Sequence, residues 1–243
     1  MHALLGTITS KGIAMTDLVA VLTQSKPRGL FSPEILSKVF VPLDLSAQNP
    51  HISMLDLDEP RSLQEFVDNE ILRAGGDFGF GGYLEQRIWY RRNATFMEPG
   101  RERDIHIGLD IWVPAGTPLL SPLKGIVHSY QDNAAVGDYG PTIILEHTVM
   151  GVTFHTLYGH LSRESLTFRS IGEEIAAGAP FATIGNEEEN GAWPTHLHLQ
   201  IIQNMEGKIG DYPGVASAHD LEKMALNCPD PTLLASLPNA ALG

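Results

Sequence analysis

His106, Asp110, His160, His196 and His198 are the residues whose types and spacing point to chemistry in this chain. The run Ile105-His106-Ile107-Gly108-Leu109-Asp110-Ile111-Trp112-Val113 alternates apolar residues with His, Gly and Asp, the pattern of a strand. In a flat strand, positions four apart share a face but lie about 13 Å from one another, too far for one metal ion with ligands about 2 Å away. Joint ligation by His106 and Asp110 therefore demands a bend, and Gly108 between them is the residue that allows one most cheaply. Thr195-His196-Leu197-His198-Leu199-Gln200-Ile201-Ile202 is a second alternating run. It sends His196 and His198 to one face, about 6.6 Å apart, and Leu197 and Leu199 to the other. Two imidazoles side by side serve either as a metal ligand with a neighbouring acid/base group or as two ligands. His160, in Leu157-Tyr158-Gly159-His160-Leu161-Ser162, falls between the two segments.

These residues need a scaffold of strands. From Gly79 to about Met205 the chain carries short apolar runs rich in Ile, Val, Thr, Tyr and Trp, punctuated by Pro and Gly, which predicts an antiparallel β domain. Ahead of it, Ser32-Pro33-Glu34 followed by an apolar run reads as a cap, a first-turn proline and a short helix. Leu63, Phe66, Val67, Ile71 and Leu72, at steps of three and four, predict a helix from about Pro60 to Ala74 that Gly75-Gly76 ends. A further short helix is expected around His219 to Leu226. The expected organisation is a helical extension over residues 1–78, a mainly β domain over 79–205 and a tail over 206–243 packing on the core.

Composition narrows the function. The 243 residues, 43% hydrophobic and 19% charged, suffice for a real core. Sixteen Lys and Arg against 29 Asp and Glu give a net charge of −13, which argues against nucleic acid or an anionic membrane surface as partner. A single cysteine, Cys228, excludes an intrachain disulfide and a zinc site built from several thiolates. No run of about eighteen apolar residues occurs, and the first 25 residues lack a basic n-region and an A-x-A-like end, so a cytoplasmic protein is expected. Met15, followed by Thr16 as an N-cap, is an alternative start.

His106-Ile107-Gly108-Leu109-Asp110, Tyr158-Gly159-His160-Leu161-Ser162 and His196-Leu197-His198, in this order and at these intervals, resemble the motifs of the lysostaphin/LytM-type zinc metallopeptidases, which cut peptides of bacterial peptidoglycan. Pro114 to Pro118, Ser121 to Val127, Tyr139 to His147 and Ile171 to Gly178 resemble the intervening turns and strands, so the likeness spans about residues 80 to 205. A narrower resemblance, carried by Gly82-Tyr83-Leu84-Glu85-Gln86-Arg87, Asp138 to Pro141, Glu189 to Pro194, Gly210 to Ala216 and Cys228 to Pro231, is to the metallopeptidase-like middle domain of fusion proteins. There the module lies between an aminoglycoside-phosphotransferase-like domain and a class III aminotransferase. The chain departs from secreted lytic enzymes in an acidic, Trp-containing loop, Asn186 to Pro194, before the His pair.

The resemblance implies an antiparallel β metallopeptidase core with Zn²⁺ held by His106, Asp110 and His198. It implies His160 and His196 as the acid/base groups, and a peptide or small amide as substrate. The alternative is a non-catalytic metal-binding or regulatory module that partners a kinase-like or aminotransferase enzyme. Tyr139 and Trp193 are expected to wall a substrate groove. His147 and His155 read as hydrogen-bonded structural residues, and His2, His51, His128 and His219 carry no functional assignment. Glu187-Glu188-Glu189 reads as a solvated turn or instead, beside a cationic metal site, as a feature that favours a basic or amino-containing substrate.

Overall fold

The structure, a computed structural model, describes residues 15–238 apart from 57, 58, 60, 93–95, 98 and 100. His2 and the capping role of Thr16 lie outside what is described. In chain order the elements are α1 (Met15–Ser25), α2 (Pro33–Leu36), β1 (Phe40–Pro42), α3 (Ser62–Arg73), β2 (Phe78–Gly81), β3 (Glu85–Gln86), β4 (Arg103–His106), β5 (Leu109–Trp112), β6 (Pro118–Leu120), β7 (Gly125–Asn133), β8 (Gly140–Val149) and β9 (Val152–Gly159). They continue with α4 (Glu164–Thr167), β10 (Glu174–Ile175), β11 (Pro180–Thr183), β12 (Leu197–Ile202), β13 (Val215–Ser217), α5 (Leu221–Asn227) and α6 (Thr232–Ala235). Eight strands form one sheet in the order β1-β2-β5-β12-β9-β8-β7-β10, β13-β4-β3 form a second, and β11-β6 a third.

Local chemistry accounts for most boundaries. The Ser32 hydroxyl accepts from the Ile35 N–H at 3.4 Å and Pro33 opens α2. That helix stops at Leu36, short of the apolar run, because Phe40 enters β1. In α3 Phe66 and Val67 are buried, whereas Leu72, expected on the same apolar face, is 76% exposed. The segment ahead of residue 79 gives more than helices. β1 pairs parallel with β2, a geometry that requires a crossover, and α3 lies in that crossover.

The expected strand over 105–113 is broken at Ile107 and Gly108, so β4 and β5 belong to different sheets. This is the bend that joint ligation demands, and it is backed by close packing. A Cβ on Gly108 would lie 2.3 Å from His198 Cε1. β12 starts at Leu197, so His196 sits just before the strand. On β5 and β12, Leu109, Ile111, Leu197 and Leu199 all enter one buried cluster, while Asp110 and His198 emerge on the other face.

Candidate metal centre

Strand register puts Asp110 directly opposite His198, which is in turn opposite Gly159 on β9, and Gly81 on β2 flanks Asp110. Two side chains thus stand in a transverse row between two glycines. His106 arrives from β4 in the smaller sheet. His106 Nε2, His198 Nδ1 and Asp110 Oδ1 converge, with separations of 2.9 Å between the imidazoles and 3.3 and 3.2 Å to the carboxylate. All three residues are buried, and among the described residues they form the single cluster of His, Cys, Asp and Glu with the proximity to hold a metal ion.

The remaining atoms of these groups fix where the protons are. His106 Nδ1 faces the Gly82 carbonyl at 2.9 Å, so that nitrogen carries the hydrogen and Nε2 offers a lone pair. Gln200 Nε2 donates to the Pro213 carbonyl and to Cys228 Sγ, which turns Gln200 Oε1 toward His198 Nε2 at 3.1 Å. His198 therefore holds its hydrogen on Nε2 and presents Nδ1 bare. Arg87 Nη1 donates to Asp110 Oδ2 at 2.6 Å, leaving Oδ1 as the free oxygen. Three lone pairs meet with no proton among them, an arrangement that only a cation satisfies. A tetrahedral ion with ligand bonds of about 2.0–2.1 Å has ligand-to-ligand edges of about 3.3 Å, and two imidazoles with one carboxylate suit zinc. The donor triangle fits that requirement.

Electrostatics agree. Burial pushes the His106 imidazole down to about 4, helped by the Arg87 charge. Burial alone would raise the Asp110 carboxyl, but His106 and Arg87 hold it well below the usual carboxylate range. With the imidazoles neutral, one guanidinium stands against two buried or nearly buried carboxylates, Asp110 and Glu85, so the locale has an unmatched negative charge.

His160 and His196 are brought to the same place. Each donates from Nδ1 to a backbone carbonyl, Asn190 for His160 at 2.9 Å and Pro194 for His196, and each keeps Nε2 bare. Their rings lie 4.3 Å apart, and His196 Nε2 is 3.6 Å from Asp110 Oδ1. Burial first, and neighbouring imidazoles second, hold His160 well below its ordinary value; burial lowers His196 too, although Asp110 opposes it. His160 has φ +63°, a left-handed conformation costly for a non-glycine residue.

A cavity of about 270 Å³ opens over this constellation, lined by Asp110, His160, His196 and His198. Tyr139 and Trp193 line it as well. The Tyr139 ring packs 5.0 Å from His198, and Trp193 stands edge-on to Tyr90 at 5.9 Å while its Nε1 donates to the Asp138 carbonyl. In the loop before the His pair, Glu187 and Glu188 are exposed. Glu189 braces it, accepting from the backbone N–H groups of Arg163 and Asn186. His147 and His155 lie away from the cavity within β8 and β9.

Residues missed by the assignments from sequence are Arg87, Gly82 and Gln200. Gln200 carries a legible signal, since it follows His198 at the same-face spacing of a strand. Arg87 and Gly82 lie 23 and 24 residues from the ligands they touch, and no local spacing links them.

Residues 104–208 match the family model described as peptidase family M23. Among solved structures, the chain is similar to a zinc-containing peptidase from Vibrio cholerae at 24% identity over 45% of this chain, with a TM-score of 0.34. It spans 31% of that protein. It is also similar to the catalytic domain of the antimicrobial peptidase lysostaphin from Staphylococcus simulans, at 17% identity, over 66% of this chain and 96% of that one, TM-score 0.39. A third is the catalytic domain of the prophage-encoded M23 protein EnpA from Enterococcus faecalis, at 22% identity over 49% and 85% of the two chains, TM-score 0.35. No curated protein matches the chain. No helix among the described residues is long and apolar enough to cross a membrane. The segment matched by the peptidase family M23 model, Asp104 to Lys208, contains His106, Asp110, His160, His196 and His198.

Proposed function

We propose that this protein is a zinc-dependent hydrolase that cleaves a peptide or other amide bond. The observation that carries the reading is the convergence of His106 Nε2, His198 Nδ1 and Asp110 Oδ1 as three unprotonated donors. Zinc held by them would supply Lewis acidity, polarising a carbonyl and making a water a stronger nucleophile near neutral pH. The chain supplies the proton chemistry. His160 and His196 are neutral at pH 7, each with a bare Nε2 at the cavity, so one accepts the proton of the attacking water. The other takes over that proton, their rings being 4.3 Å apart, and with it steadies the developing oxyanion and then protonates the departing amine. Their Nδ1 hydrogens stay committed to Asn190 and Pro194, which keeps both tautomers correct. Tyr139 and Trp193 wall the cavity in which the substrate would lie.

The zinc-containing peptidase and lysostaphin, both similar to this chain, support a peptide substrate, and peptidoglycan-derived peptides head the substrate panel. Purified protein is expected to carry about one zinc per chain. Loaded protein is expected to cleave at least one member of a panel of muropeptides, glycine-containing peptides and small amides, with His160→Ala slowing that cleavage by about 10²- to 10⁴-fold while retaining the metal. Absence of stoichiometric zinc, or cleavage that survives in His198→Ala, would overturn the reading.

A further inference from the structure

We infer that the turn from Gly82 to Arg87 is a clamp that sets the geometry of two metal ligands, with Arg87 a positioning residue that restricts Asp110 to one oxygen. The inference rests on the metal-site reading above, and the turn that forms the clamp lies outside the 104–208 segment.

Arg87 is 2% exposed, a costly place for a guanidinium unless it is held on several sides. Its Nε donates to Glu85 Oε2 at 2.7 Å and its Nη1 to Asp110 Oδ2 at 2.6 Å, so one planar fork spans two carboxylates. Glu85 is anchored in turn, its Oε1 accepting from the Leu45 N–H at 2.8 Å. The guanidinium also sits 5.4 Å from the centre of the Trp89 ring. Nη2 is buried without a hydrogen-bond partner and lies against Gly82, where a Cβ would approach it to 1.9 Å. Gly82, at φ +98°, adopts a conformation that side chains resist, and its carbonyl takes the His106 Nδ1 hydrogen. One short turn therefore fixes the tautomer of His106 and occupies the second oxygen of Asp110.

The consequence is chemical. A carboxylate with both oxygens free can chelate an ion and take up an extra coordination position. With Oδ2 held by Arg87, His106, Asp110 and His198 each offer one donor atom, the single such cluster among the described residues, and the side facing the cavity stays open for water or substrate. A lysine presents a point charge rather than a fork and cannot hold Glu85 and Asp110 at once in this geometry.

The test uses cobalt(II) in place of zinc, because its visible absorption reports coordination number without any turnover. In Arg87→Lys, and independently in Gly82→Ala, the cobalt bands are expected to weaken severalfold relative to wild type as Asp110 chelates, and competition with a chromophoric chelator should show a 10- to 100-fold change in zinc affinity, the order seen when groups that orient ligands are altered. Circular dichroism confirms folding. If both variants fail to fold, Glu85→Gln, which keeps the acceptor for Leu45 but removes the charge beside Nε, is expected to shift the bands in the same direction. Variant spectra and affinities that overlay wild type would overturn the clamp and leave the metal site standing. A wild-type chain that binds neither cobalt nor zinc would overturn both.

Discussion

Two groups of histidines in this molecule differ in what their ring nitrogens do. His147, in β8, has both satisfied, Nδ1 by the Lys124 carbonyl at 2.9 Å and Nε2 by the Thr156 hydroxyl at 2.7 Å, and it stacks on Phe154. In the cavity group each ring has one nitrogen committed to the protein, and the other is turned bare toward shared space. Both groups are deeply buried, and burial pushes His147 and His106 alike down to about 4. Burial and depressed basicity therefore do not mark a functional histidine here. Half-satisfied hydrogen bonding, pointed at a common centre, does.

The sharpest way to break this comparison is His198→Ala. It is expected to reduce zinc from about one ion per chain to near none and to abolish turnover, as read by atomic absorption and the panel assay. Next in size, His160→Ala should retain the ion and lose about 10²- to 10⁴-fold in turnover, the range of an acid/base group.

The effects at His147 are on stability alone. Its folded value of about 4 lies below the unfolded 6.5, so as the pH falls through this window the unfolded chain takes up the proton first. Its share of the loss reaches about 3 kcal/mol at the acid end, and urea midpoints between pH 7 and pH 4 should fall accordingly. His147→Phe should cost about 2 kcal/mol at neutral pH by stranding the Lys124 carbonyl and leaving Thr156 with Tyr158 alone, with zinc content unchanged. Its deficit should narrow toward pH 4, because the variant has no imidazole there to protonate. Smallest, Trp193→Ala is expected to raise KM a few-fold with kcat nearly unchanged, since it lines the cavity wall and makes no contact with the donors.

How much was legible in the sequence follows from the range of each interaction. The alternation around Asp110 and His198 places apolar and polar residues on opposite faces, and a pairing of ligands four apart requires a bend at Gly108, because these are properties of adjacent residues. What sequence periodicity left out is non-local. The parallel pairing of β1 with β2 joins strands 36 residues or more apart, and Arg87 meets Asp110 across a turn and a change of sheet. Leu72 satisfied the helical period yet faces solvent, because the period describes a stripe and not which neighbours cover it.

The donors come from two sheets, His106 from the three-stranded one and Asp110 and His198 from the eight-stranded one. An ion bound by all three would act as a rivet between them, closing a loop of 92 residues between His106 and His198. Occupancy then becomes a mechanical property of the fold: at an ion concentration about a hundredfold above its dissociation constant, the folded state gains about 2.7 kcal/mol. A chelator should accordingly raise amide exchange first along β3, β4 and β13, where the smaller sheet would lose its fastening to the larger.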